Sequence, residues 1–192
     1  YISHLDSNRC WQRSIKRSGL PVWYTEGFNP HMYLTFPLPL SLGYESVYEC
    51  VDLRLMEDLS DAEVVERLND ALPQDIRVFA CAEPVMDQKE IALADYNIFL
   101  SCANPAELSE ELSAYFAQEQ ILVMKKTKKG QKEMDLKPHF TVLEQSVEGE
   151  GVALKLRCTT GIEVNINPSL LLENAPCAAK VETTATRRTM VY

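Results

Sequence analysis

The chain has 192 residues, 46% of them apolar and 24% charged, with 19 basic against 28 acidic side chains and a formal net charge of −9. That size suits one large domain or two small ones and should bury about 70% of the unfolded surface, so neither a metal nor a disulfide is needed to hold the fold together. An acidic chain is a poor non-specific binder of nucleic acid, no apolar run approaches the ~20 residues of a membrane span, and no secretory signal is visible.

Ser3-x-x-Asp6 is a capping box, in which hydroxyl and carboxylate satisfy orphan amide donors, and the helix it opens is expected to run to about Ser18 and stop at Gly19. Gly27-Phe28-Asn29-Pro30-His31 is a turn by composition, since Gly supplies positive φ and Asn before Pro is held extended. Pro37 and Pro39 forbid a central strand, so that segment belongs at an edge or in a loop. Val47, Glu49, Val51, Leu53 and Leu55 alternate as a strand, and a second capping box, Ser60-x-x-Glu63, starts a helix carrying Val64, Val65, Leu68 and Leu72. Ile76-Val78-Ala80 again reads as a strand. The polar stretch Pro84 to Ala92 reads as the join between two halves.

The second half opens on a strand with Tyr96, Ile98 and Leu100. Asn104-Pro105 then places a capping amide before a proline that needs no donor, ahead of a helix with Leu108, Leu112, Tyr115 and Phe116. Lys125 to Lys132 reads as a hairpin with Gly130 in its turn and lysines at its tip. Strands follow at Val152-Leu154-Leu156 and Ile162-Val164-Ile166, and Asn167-Pro168 caps a short helix around Leu170 to Leu172. The order of elements is a split βαβ pattern written twice, which predicts an α+β fold of two ferredoxin-like (RRM-like) units with antiparallel sheets. The first unit is expected over residues 1–84, a linker over 85–92 and the second unit over 93–192. Tyr1 is not an initiator methionine, and the first strand of the first unit is expected to lie upstream of this fragment.

Six cysteines (10, 50, 81, 102, 158 and 177) lie far apart with no Cys-x-x-Cys pair, the pattern of reduced, mostly buried thiols in a cytoplasmic protein. Charge is unevenly spread. Residues 45–119 carry eighteen acids against four bases, whereas residues 120–137 carry six lysines against two acids and residues 1–44 four bases against two acids. At 100° per residue Arg9, Arg13, Lys16 and Arg17 fall within about a 100° sector of the first helix, with Leu5, Trp11 and Ile15 expected roughly opposite. Four cations on one stripe repel unless an anion sits over them. Two partners fit: an external phosphate or carboxylate, or the chain's own Glu45, Glu49 and Asp52.

The loop offers Phe28, Asn29 and His31, an aromatic and hydrogen-bonding groups suited to stacking on a base. The plainer role for Phe28 is to anchor the loop in the core. The hairpin adds Lys125, Lys126, Lys128, Lys129 and Lys132. With Arg9, Arg13 and Arg17, these are the expected anion- or RNA-binding residues, the stripe and the loop forming one shared pocket. His4 and Asp6 are candidates for acid–base work, but their spacing sets them about 200° apart around the helix and the cap already accounts for Asp6. No P-loop, dinucleotide glycine fingerprint, nucleophile elbow or His-Glu-x-x-His helix occurs, so neither a cofactor nor a metal is expected.

Several of these motifs together resemble the radical-SAM-linked protein family, small bacterial proteins or modules found beside or fused to cobalamin-binding radical SAM proteins. They are Ser3 to Asp6, the arginine helix Arg9 to Arg17, Gly19 to Pro21, Gly27 to Pro30, Leu38 to Gly43 and the acidic strand Glu45 to Asp52. Lys137 stands where that family's pattern has an arginine, and Thr186 to Thr189 also resemble its tail. The resemblance implies a companion to such an enzyme rather than the enzyme itself, because the Cys-x3-Cys-x2-Cys loop of an iron–sulfur cluster is absent from the sequence. The expected function is therefore a non-catalytic module presenting RNA or a ribonucleoprotein to a cobalamin-binding radical SAM protein. The alternatives are an RNA-cleaving or RNA-modifying enzyme using His4, Asp6 or His31, and a protein–protein adaptor.

Overall fold

The structure is a computed structural model that describes residues 2–127, 130–161 and 164–192, with Lys126 and Thr127 described by backbone alone. The fold is α+β with antiparallel and mixed sheets, compatible with ferredoxin-like units, and the chain divides into two compact units. The first comprises Tyr1–Gly43 and Cys50–Gln88, the second Tyr44–Glu49 and Lys89–Tyr192. The segment Tyr44–Glu49 thus leaves the first unit's stretch of sequence to join the second.

In the first unit, α1 spans His4–Ser18, capped by the Ser3 hydroxyl and ended by Gly19 at φ 68°, a left-handed position that favours glycine. Trp11 and Ile15 are buried on its inner side, whereas Leu5 is 67% exposed. Contrary to expectation, Leu5 does not lie opposite the cations: one helical turn before Arg9, it shares their face. The strands β1 (Leu34–Thr35) and β3 (Asp52–Leu53) are short and antiparallel, and bridges at Val22–Leu55 and Tyr24–Met32 extend them into a small sheet. Helix α2, Asp61–Ala71, packs Val64 and Leu68 into the same core as Trp11, Ile15, Val22 and Met32.

Two strands expected in the first half of the chain differ. The run 47–55 is broken because the Ser46 hydroxyl accepts from the Tyr48 amide and donates to the Tyr48 carbonyl, turning the chain between β2 (Glu45–Ser46) and β3. The run 76–80 is not a ladder strand. The Asn69 side chain bonds both the amide and the carbonyl of Val78, at 2.9 Å each, standing in for a neighbouring strand.

The second unit is built on a five-stranded sheet ordered β2–β9–β4–β8–β7. β4 (Leu93–Cys102), β7 (Phe140–Glu148), β8 (Gly151–Thr159) and β9 (Val181–Val191) run antiparallel to their neighbours, and β2 joins β9 in parallel. Helix α3, Pro105–Phe116, covers one face over Ala94, Tyr96, Ile98 and Leu100, residues that alternate along β4 with Asp95, Asn97, Phe99 and Ser101 on the other face. β5 (Leu122–Thr127) and β6 (Gly130–Asp135) form the separate lysine hairpin, and α4 spans Pro168–Glu173 behind its Asn167 cap. Val164 to Ile166 lie outside any strand, and Ile162 lies outside the described residues. Three of the six cysteines (102, 158 and 177) are buried, and Cys50 is exposed.

Candidate nucleic-acid interface

Arg9, Arg13, Lys16 and Arg17 are all exposed. Arg9 pairs with Asp6 at 3.0 Å, but both side chains are more than half exposed, so water screens the pair and little of the charge is spent. Asp6 is held below the ordinary carboxylate range, chiefly by the Ser3 hydroxyl and then by Arg9. Arg17 donates to the Ser14 hydroxyl at 3.0 Å and to the Ala71 carbonyl at 2.7 Å, placing a cation at the negative end of α2. Arg13 and Lys16 make no hydrogen bond or ion pair within the described residues.

The acidic stretch does not neutralise this stripe. Glu45 accepts from Arg187 at 2.5 and 2.9 Å, Glu49 pairs with Arg188, and Asp52 accepts from Gln88 at 2.5 Å. The tail arginines, 142 positions away in the case of Arg187, take the carboxylates that the helix was in competition for.

The loop that follows is pinned at its neck. The Thr25 amide donates to the His31 carbonyl at 2.8 Å, the His31 amide donates to the Thr25 hydroxyl at 3.0 Å, and His31 Nδ1 lies 2.9 Å from that hydroxyl and 3.3 Å from the Asn29 carbonyl. Gly27 sits at φ 121°. Phe28 is fully exposed at 112% of its reference area, so it does not anchor the loop in the core. Among the described residues, no hydrogen bond, ion pair or ring contact joins the helix cations to this loop. His4 packs edge-on against Phe36, with ring centres 5.5 Å apart, and makes no contact with Asp6 that would activate either group.

Three residues went unrecognised in the sequence. Trp23 and Tyr33 alternate with buried Val22 and Met32, so they occupy the sheet face away from the core, with ring centres 6.0 Å apart. The Arg54 guanidinium lies 5.0 Å from the Trp23 ring centre. The available signal was alternation: a tryptophan and a tyrosine, each beside a core residue on an extended segment.

In the hairpin, Lys125 donates to the Asn165 carbonyl at 2.9 Å and Lys132 is exposed opposite it. Lys128 and Lys129 lie outside the described residues, as does the side chain of Lys126. Asp135 closes the hairpin base by accepting from the Ile121 and Lys137 amides, which hold its carboxyl below the ordinary range. Lys137 bonds the Phe116 carbonyl at the end of α3 and lies 5.9 Å from the Phe140 ring centre, a role that needs no bidentate fork. Among the described residues no group of three or more His, Cys, Asp or Glu side chains is placed to hold a metal ion, and no helix is long and apolar enough to cross a membrane.

Residues 1–168 match the model of a family described as uncharacterised proteins conserved in bacteria, DUF2344. The chain belongs to this family. The match runs from α1 to the first residue of α4 and so takes in the cationic helix, the pinned loop and the lysine hairpin. No curated protein matches the chain. The DUF2344 description names no activity, substrate or partner.

Proposed function

We propose that this DUF2344 protein is a non-catalytic, cytoplasmic binding module that presents RNA or a ribonucleoprotein to a cobalamin-dependent radical SAM protein. The observation that carries the RNA part is the pairing of Glu45 and Glu49 with Arg187 and Arg188, which leaves Arg13 and Lys16 of the α1 stripe without an ion-pair partner among the described residues. Exposed Arg13 and Lys16 then favour a phosphate chain, and within the same unit Phe28, Trp23 and Tyr33 supply aromatic surface for unstacked bases. The radical SAM part rests on the resemblance of the Ser3 to Asp6, Gly27 to Pro30 and Leu38 to Gly43 motifs. Independent catalysis is disfavoured by the arrangement of His4, which packs on Phe36 while Asp6 is held by Ser3 and Arg9.

The test is binding of a 12-nucleotide single-stranded RNA by fluorescence anisotropy between 50 and 200 mM salt. Affinity is expected to fall steeply with salt, and Arg13→Ala/Lys16→Ala to weaken binding while flattening the salt slope by roughly one to two phosphate contacts. Phe28→Ala should weaken binding without changing that slope. Affinity independent of salt, or unchanged in the double variant, refutes the proposal.

A further inference from the structure

The second unit has a sheet face that none of the functional residues above uses. On the side away from α3 lies a shallow groove of about 410 Å3. Its layout follows from register. One cross-strand row reads Arg187, Asn97, Lys155 and Glu144, and the next reads Ala185, Phe99, Ala153 and Ser146. Directly paired side chains stand about 5 Å apart, so each row is a set of touching neighbours.

Phe99, on the central strand, is 36% exposed between two alanines. Its ring lies towards Gly151: a Cβ built on that glycine would sit 2.6 Å from the ring's Cζ. Gly151 is opposite Ser101, two residues past Phe99, so the ring leans away from Asn97 and opens a recess floored by Ala153 and Ala185. Asn97 faces that recess with an amide that bonds nothing among the described residues. Arg187 is held in place by Glu45 on one side, and Lys155 stands on the other. At the β7 edge, Glu144 and Glu148 supply carboxylates, the latter accepting from Ser146 at 3.0 Å.

We infer that this groove binds a purine ribonucleotide unit of single-stranded RNA. The base lies against the Phe99 ring, its donor–acceptor edge on the Asn97 amide. The phosphates turn towards Arg187 and Lys155, and the ribose hydroxyls towards the β7 carboxylates. Each assignment follows from chemistry. Aromatic rings in open sheets stack bases, and a carboxamide matches adjacent acceptor and donor groups of adenine. Carboxylates repel phosphate but accept from hydroxyls, and that explains Glu144 and Glu148 in a groove whose third acid, Glu45, is already paired with Arg187. The 2′-hydroxyl they would read distinguishes RNA from DNA. This inference rests on the reading of the chain as an RNA-binding module, but it uses different residues in a different unit.

The experiment uses the whole chain with 12-nucleotide oligoadenylate RNA, its DNA counterpart and oligouridylate RNA. The wild type should prefer oligoadenylate RNA over both others. Phe99→Ala should weaken that RNA by about tenfold, the loss of one stacked base, while Phe99→Tyr keeps it. Asn97→Ala should erase the preference for adenine over uracil, and Glu144→Gln/Glu148→Gln should reduce the preference for RNA over DNA. Thermal melting of each variant checks that the fold is intact. Unchanged affinity in both Phe99→Ala and Asn97→Ala overturns the groove site. So does a Glu→Gln pair that strengthens RNA and DNA equally, because the acids then act only by repulsion. Arg13→Ala/Lys16→Ala separates the two ideas: weakening there with an unchanged Phe99→Ala removes the groove and spares the helix, and the converse does the reverse.

Discussion

Arg188 and Glu49 form an ion pair across 139 positions of sequence, with the guanidinium side chain 2% exposed and the carboxylate 39% exposed. Tyr96, on the neighbouring strand, stands directly opposite Arg188 in the register. Together with the Tyr44 hydroxyl, which bonds Asn167 and Ser169, this pair holds Tyr44–Glu49 against the second unit. Removing one partner of a buried pair leaves a desolvated charge, which costs more than the pair contributes. Glu49→Ala should therefore destabilise the protein by about 3 kcal/mol, near the low end for such deletions because the carboxylate is half-exposed. Adding Arg188→Met to Glu49→Ala should recover part of that loss. Urea denaturation reads both, and a Glu49→Ala midpoint equal to wild type would refute the pair's role.

Asp95 links stability to pH. Its carboxylate, 5% exposed, accepts from Arg157 at 2.7 and 2.9 Å and from the Tyr192 hydroxyl at 3.0 Å. The Arg157 guanidinium and then the Tyr192 hydroxyl hold its carboxyl below the ordinary range, against the opposing effect of burial. A depressed folded-state pKa means the unfolded chain binds the proton more readily. The contribution is thus complete above the ordinary aspartate pKa of about 4 and fades as pH falls through the lower folded value. Melting temperatures of wild type and Asp95→Asn should differ most at pH 6–7 and draw together as pH falls below about 4. A gap that stays constant down to pH 3 would show that Asp95 does not contribute through its charge.

How much of this was legible in sequence depends on whether the determining contact is local. Ser3, Ser60, Asn104 and Asn167 all cap the helices predicted from them, because a cap is read within three residues. Trp11, Ile15, Leu108 and Leu112 are buried as helical spacing predicts. β9 was harder to see: Glu182 to Ala185 are exposed, so no apolar alternation marks its start. The destination of Glu45 and Glu49 was not legible at all, since both acidic partners and both arginines are plain surface types until the strands pair. The same holds for the groove around Phe99, whose neighbours come from β9 and β8 and are set by register alone.

Gly151 provides a last, purely steric prediction. It is buried at the start of β8, and no positive φ demands glycine there. Space does. An added Cβ would collide with the Leu100 carbonyl and lie 2.6 and 2.9 Å from two atoms of the Phe99 ring. The ring is half-exposed and can swing away, but the carbonyl belongs to the central strand and cannot. Gly151→Ala should therefore cost about 1–3 kcal/mol, the range for overpacking, and lower the melting temperature by several degrees in a chain of this length. Combining it with Phe99→Ala separates the two clashes. If the ring carries the strain, the double variant is more stable than the sum of the single losses; if the carbonyl carries it, the losses add. The backbone clash predicts near-additivity, and a Gly151→Ala protein melting at the wild-type temperature would show that β8 shifts to make room at no cost.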